Sequence, residues 1–495
     1  MTRTTAAAGG GAAAAAAAAA GAVVLPLALA QFIASYAGSN MNVAISTIAS
    51  DLGTSVSGIQ TTITLFTLTM AALMIPGSKL TDIWGRKFCF ILGLVVYGTG
   101  ALLASLAQGL ALLTVGYSLL EGVGSALLIP PIYILVTVLF RDTTTRAKWF
   151  GVVSAAAGLG AAAGPLIGGL LTSSISWRAS FWLQVLVVAG IALLARRIDD
   201  PPLPTPRPQF DLYGAVLSAV GLFFVVFGVL QSGTYGWGSA KQDFSVFGAV
   251  LIPEGGISPV WVLAAIGAIF LVVFVVHIRL REKRGATPLV SVRLFQNRTS
   301  NLGLVTQNVQ WLVMQGSFFV VSVFLQQERG NSAIETGLML LPATVGILLS
   351  SALAQRMASR HPQRLLVRVG FTVTVVGLGL LLALARVDSA AWTFWPGLFL
   401  MGFGLGAMLT ASVNVVQSAW PEKIQGDISG VSRSASNLGS SLGVAIAGSV
   451  LVGAAAGGNP PFATALVVVG GFAVVGWIAA LLLPRRARTE EPAPA

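Results

Sequence analysis

Two charged side chains stand alone inside long apolar stretches, Glu121 and Arg433. Thr114, Tyr117, Ser118 and Ser125 recur at helical spacing with Glu121 and share its face, a polar stripe on an otherwise apolar helix. An ionised carboxylate in oil costs several kcal/mol unless water or a partner reaches it. Glu121 is therefore a candidate to gain and lose a proton. The alternative is a permanently protonated Glu hydrogen-bonded to a neighbouring helix. Arg433 shares a face with Ser436, Asn437, Ser440 and Ser441. It could pair with Glu121, meet an anionic ligand, or snorkel to a membrane interface, and the last is the plainest expectation.

A third group is made of amides. Gln307, Gln310, Trp311, Met314 and Phe318 fall on one helical face, with Asn308 and Gln315 beside it. Amides mixed with aromatic and Met side chains suit a cavity for varied amphipathic ligands. Amide-mediated helix packing explains them equally well. Tyr36, Asn40, Asn42, Asn414 and Gln417 join the list of cavity candidates.

Other chemistries find no footing. Gly439-Ser440-Ser441-Leu442-Gly443 has the Gly-x-Ser-x-Gly spacing, but inside an apolar helix and with no nearby His. His277 and His361 are far apart and next to basic segments, so no metal site is expected. No Gly-rich loop ends in Gly-Lys-Ser/Thr, and no cofactor is expected. The single Cys89 excludes an intramolecular disulfide. The chain reads as a protein that is not an enzyme.

The elements that position these residues follow from composition. Of 495 residues, 55% are hydrophobic and 9% charged, against about a quarter charged in soluble domains. Such a chain needs lipid as its solvent. With roughly 20 apolar residues per crossing, spans are predicted at 23–47, 58–76, 88–107, 110–135, 149–172, 180–195 and 212–232. Seven more follow at 259–278, 302–325, 336–355, 367–385, 393–416, 430–454 and 463–483. Pro130-Pro131 is expected to interrupt the fourth. With both ends cytoplasmic, this topology places 24 of the 29 basic residues on the inside. Clustering between apolar runs also argues that the +12 charge serves topology and not nucleic acid.

The chain divides into an Ala/Gly-rich tail (1–22), a six-helix block (23–197) and a linker with two accessory helices (198–278). A basic linker with a second six-helix block (279–484) and a cytoplasmic tail (485–495) follow. The tail at 1–22 is read as a disordered or frayed extension of the first helix, and 233–258 as a long outer loop. Basic segments after span 2 and after the second helix of the last block (79–87 and 356–368) form a weak internal repeat, as in transporters built from related halves.

Two motifs carry a family resemblance. The segment Gly77-Ser78-Lys79-Leu80-Thr81-Asp82-Ile83-Trp84-Gly85-Arg86-Lys87 resembles the loop signature of the major facilitator superfamily, matching at Asp82, Gly85, Arg86 and Lys87. The resemblance implies an ion-pair latch between neighbouring helix ends. Span 5 contains Gly160, Gly164, Pro165, Gly168 and Gly169 in the spacing of the family's exporter motif, which implies a hinge and seal between halves. Ser176-Trp177-Arg178 and Phe324-Leu325-Gln326-Gln327 are similar to the fourteen-helix drug:proton antiporter branch. Two departures matter: Ala37 stands where that branch has an acid, and Ser118 where it has an Arg. The family's usual proton route cannot be carried over to this chain.

The resemblance implies an all-α fold of two six-helix bundles plus two accessory helices, and a proton-coupled exporter of small amphipathic molecules, multidrug efflux being the type. Export of an endogenous lipid or secondary metabolite is the alternative within transport, and a non-transporting ligand sensor the alternative outside it. The expected partners are a small amphipathic substrate, protons and the lipid bilayer, with the chain working as a monomer. A plasma-membrane location is expected, and Arg outnumbering Lys 23 to 6 together with abundant Ala points to a GC-rich bacterial genome.

Overall fold

The computed structural model describes residues 4–140, 143–196, 198, 209–246, 249–357, 361–420, 425–456 and 460–484. The Pro-rich linker 199–204, the cations Arg3, Arg141, Arg197, Arg207, Arg360 and Lys423, and the tail 485–495 lie outside the described residues.

Among the described residues, thirteen helices are long and apolar enough to cross a membrane. They are span 1 (Gly21–Val43), span 2 (Val56–Trp84), span 3 (Arg86–Ser105), span 4 (Leu110–Val136), span 5 (Gly151–Ser174), span 6 (Trp177–Ala195), span 7 (Leu212–Tyr235) and span 8 (Pro259–Lys283). The second block has span 9 (Arg298–Glu328), span 11 (Gln363–Leu384), span 12 (Ala391–Gln417), span 13 (Asp427–Ala455) and span 14 (Pro461–Leu481). Span 10, expected as one helix, is a pair, Ala333–Met339 and Leu341–Ala354, bent by 41°. The break falls at Leu340, two residues before Pro342, which has no N–H to continue the helical hydrogen-bond ladder.

Other boundaries also differ from the sequence reading. The Ala-rich stretch continues span 1 as helix from Thr4, in keeping with the high helix propensity of Ala. Span 2 runs to Trp84, so Lys79 and Asp82 sit on its last turns and not on a loop. Gly85 alone makes the turn into span 3, at φ +108°, a conformation that a side chain would resist. Span 4 passes through Pro130-Pro131 without stopping, as part of the helix Gly122–Leu139. Its preceding segment, Thr114–Glu121, is π-helical, a wide turn often found at functional positions. Within 233–258 lies an antiparallel hairpin of β1 (Phe244–Val246) and β2 (Ala249–Ile252), with Val246 paired to Ala249.

The weak repeat read from the basic segments becomes a repeat of packing. Span 1 lies against span 5 as span 9 lies against span 13, and span 3 meets spans 4 and 6 as span 11 meets spans 12 and 14. The two sets of six meet along two related seams, span 2 with span 13 and span 5 with span 10. Spans 7 and 8 pack on each other, and span 7 covers the outside of the seam between spans 2 and 13.

Candidate substrate cavity and buried carboxyl

Where the two sets of six meet, a cavity of about 50 Å³ lies between spans 1, 2, 4, 5, 9 and 13. Helical spacing brings its polar lining together. Gln31, Ser35, Gly38 and Ser39 come from span 1, Trp311 and Gln315 from span 9, and Arg433, Ser436, Asn437 and Ser440 from span 13. Phe66 and Met70 of span 2 and Ile129 of span 4 supply apolar walls. The volume accommodates a water or two and is far below the several hundred Å³ of an ordinary ligand site.

Bonds between the halves flank the cavity on both sides. Toward the end bearing the basic segments, Ser434 Oγ donates to Ala71 O at 2.6 Å and Lys79 Nζ stands 3.5 Å from Asp427. Beside the cavity, Gln315 Nε2 donates to Gly38 O at 2.8 Å and Ser441 Oγ to Thr64 O at 3.0 Å. Toward the opposite end, Gln326 bonds the backbone of Asn42 and Ser46, the amide N–H of Ile334 donates to Ser173 Oγ at 2.9 Å, and Gln60 donates to Ala445 O at 3.3 Å.

Arg433 does not snorkel and does not meet Glu121. It reaches across the seam to Tyr133, to whose hydroxyl it donates, with its guanidinium 4.6 Å from the ring centre.

Of the predicted cavity residues, Trp311, Gln315, Arg433 and Asn437 line it. The others serve packing. Gln307 bonds Ser432 and Ser436, Asn308 bonds Ala435 O, and Gln310 bonds Ser412 and Leu405 O. Met314 is in the apolar core. Tyr36 and Asn40 share Ser180 as partner, Tyr117 donates to Ala37 O and Ser118 to Thr62 O. Asn42 offers its carbonyl to Gln326, Gln417 bonds Ser429, and Asn414 is half-buried away from the cavity. The sequence reading missed Gln31 and Ser35, although their spacing with Gly38 was visible: a polar stripe on span 1 that Tyr36 and Asn40 overshadowed.

Glu121 lies outside the cavity. It is fully buried within the first six spans, at the last residue of the π-helical segment, and neither carboxyl oxygen has a hydrogen-bond partner. The Tyr97 hydroxyl lies beside it, but the single proton of that hydroxyl is directed at Gln184 Oε1, with Ile33 O a further 3.3 Å neighbour. Tyr36, Asn40, Tyr97, Tyr117, Ser180 and Gln184 thus form a buried polar cluster, which ties spans 3, 4 and 6 to span 1 beside Glu121. Asn40 Oδ1, Ser125 Oγ and Gln184 Nε2 in the same region also lack partners.

The latch residues are arranged differently from the expectation. Asp82 makes no ion pair among the described residues, and Arg86 Nε is buried without a partner. Lys87 donates to Arg196 O within the same set of six, at 3.2 Å. The ion pair that crosses the seam is made by Lys79, one turn earlier. In span 5 the helix is continuous through Pro165. Gly160, Gly164 and Gly168 turn to span 1, where a Cβ would strike Phe32, Ser39 and Asn40. Gly169 faces the other half, where a Cβ would stand 2.6 Å from Ala333 O. The motif therefore packs one seam within its own half and one between halves.

Ser440 faces the cavity and Ser441 bonds Thr64 O, so the Gly-x-Ser-x-Gly run is helix packing. His277 donates or accepts at 2.8 Å with Asp211, the buried cap of span 7.

Comparison with known proteins bears on the family and the fold. The family model described as Major Facilitator Superfamily matches residues 27–295, 244–444 and 304–495. The probable actinorhodin transporter of Streptomyces coelicolor is 30% identical, over 84% of this chain and 70% of that protein. The puromycin resistance protein pur8 of Streptomyces alboniger is 29% identical, over 90% of this chain and 85% of that protein. The crystal structure of the peptide transporter POT (E310Q mutant) in complex with alafosfalin superposes with a TM-score of 0.66 at 14% identity. That superposition covers 94% of this chain and 95% of the other, a likeness of fold.

Proposed function

This chain belongs to the Major Facilitator Superfamily, and from that membership we propose that it exports small amphipathic, drug-like molecules by alternating access, driven by protons. The observation that carries alternating access is the small cavity enclosed between two like-packed sets of six helices, with bonds between the halves on either side of it. Separating either group of bonds while keeping the other exposes the cavity to one face of the membrane. The two bundles, 23–197 and 279–484, are the rocking bodies, and 198–278 is the accessory segment. The basic end and both termini face the cytoplasm. Export rests on the span 5 motif and on the relatives, one named for a transporter and one for antibiotic resistance.

Glu121 is the proton carrier. An ionised carboxylate buried without partners is costly, so the group holds its proton while the seam is closed and releases it when spans 3, 4 and 6 loosen from span 1. The coupling is conformational, through Tyr97 and Tyr117, because Glu121 does not line the cavity. In proteoliposomes, Glu121→Gln is expected to abolish uphill transport driven by a pH gradient while sparing downhill flux. Uphill transport at the wild-type rate in that variant removes Glu121 from the mechanism.

A further inference from the structure

The cavity has a sign. Its one ionisable lining residue among the described residues is Arg433, and no Asp or Glu lines it. Arginine stays charged in proteins and carries five N–H donors in a planar fork. Here the guanidinium engages one side-chain acceptor, the Tyr133 hydroxyl, and forms no ion pair among the described residues. Its other donors are left to the cavity. The nearby acids are otherwise placed: Glu121 is in the separate buried cluster, and Asp427 stands beside Lys79. Around the cation are the uncommitted amide of Asn437, the ring of Trp311 and the apolar side chains of Phe66 and Met70.

An enclosed, uncompensated cation beside aromatic and apolar surface selects for its complement. We propose that Arg433 is the substrate's charge-selecting contact and that this transporter takes amphipathic organic anions, an aromatic body bearing a carboxylate, phenolate or sulfonate. The inference rests on the export reading above and deepens it. Binding exchanges the Tyr133 hydroxyl for a bidentate anion on the same fork, which also removes one bond across the seam and couples occupancy to its opening. A charge-assisted contact of this kind is worth roughly tenfold to a hundredfold in affinity.

The test uses three ligands of one shape: 2-naphthoate, its neutral amide, and the cationic 2-naphthylmethylammonium. Binding to the full chain in nanodiscs is measured by equilibrium dialysis against empty nanodiscs. The wild type is expected to hold naphthoate at least about tenfold more tightly than the amide and to disfavour the cation. Arg433→Gln is expected to erase that preference with the amide unchanged, and Arg433→Lys, which keeps the charge, to retain part of it. Tyr133→Phe, which keeps Arg433 and deletes its acceptor, is expected to preserve the anion preference. Equal binding of naphthoate and amide by the wild type overturns the proposal, as does no binding of naphthoate, or a preference that survives Arg433→Gln. Loss of both ligands together in Arg433→Gln also overturns it, by making Arg433 a packing residue. Gradient-driven flux of naphthoate is read separately: Arg433-dependent binding without flux sinks the export reading and leaves the charge assignment standing.

Discussion

The Gln326 amide closes a two-point bridge onto the backbone that leaves span 1. Its Nε2 donates to Asn42 O and its Oε1 accepts from Ser46 N, both at 3.1 Å. The bridge joins the two halves at the end opposite the basic segments, and its side chain is buried. Each hydrogen bond contributes about 1 kcal/mol net. Gln326→Ala is therefore expected to shift the protein toward opening at that end by roughly fivefold or more. The measurement is the labelling rate of a cysteine placed at cavity residue Ser35, in a Cys89→Ser background, by an impermeant maleimide. An unchanged rate denies the bridge its gating role.

At the basic end the same logic applies to Lys79 and Asp427, 3.5 Å apart and partly buried. A pair of this exposure is worth about 1 kcal/mol or less. Asp427→Lys is expected to speed labelling of the same cysteine from the basic side, and the exchange Lys79→Asp with Asp427→Lys to restore the slow rate. Arg86→Gln, which removes no ion pair among the described residues, should change it less.

Close backbone approach seals the second seam. A Cβ on Gly337 would stand 2.7 Å from Pro165 O, across the halves. Overpacking of this kind costs about 1–3 kcal/mol. Gly337→Ala is expected to favour opening opposite the basic segments with little change in Tm. Gly160→Ala, which strikes Phe32 within one half, should instead lower Tm. Equal effects on Tm would mean that the seam between halves is no weaker than the packing inside them.

Asp51, between spans 1 and 2, accepts from Arg178 at 2.6 Å and from the Trp177 indole N–H at 3.0 Å, both at the first turn of span 6. The bond from Arg178, then that from Trp177, holds the Asp51 carboxyl below its ordinary value. A depressed folded-state value stabilises above the unfolded one, about 3.9, and that stabilisation fades as pH falls through the folded value. The site is exposed, so the contribution is under about 1 kcal/mol. Asp51→Asn should lower Tm slightly at pH 7, and the difference from wild type should vanish in acid. A difference that persists well below pH 3 would assign the effect to packing.

Much of the fold was legible because lipid leaves the backbone few options. Apolar length set the crossings, and Lys/Arg placement fits the pattern of basic segments at one end. The face of span 13 carrying Arg433, Ser436, Asn437 and Ser440 was readable from period alone, and it does meet the cavity. Span 10 was misread as unbroken although Pro342 marked the break.

What the sequence determined by itself was membrane residence, the helical spacing and which side chains share a face. Only the tertiary structure decided what each face meets. Gln307 and Gln310 share a stripe with Trp311, yet they turn to spans 13 and 12 while Trp311 reaches the cavity. Glu121 and Arg433 are the two lone charges of the apolar stretches, yet one lies inside a half and the other between halves. The physical reason is that helical periodicity fixes neighbours along one helix, whereas partners across helices depend on crossing angles and on where small residues such as Gly164 and Gly169 let backbones approach.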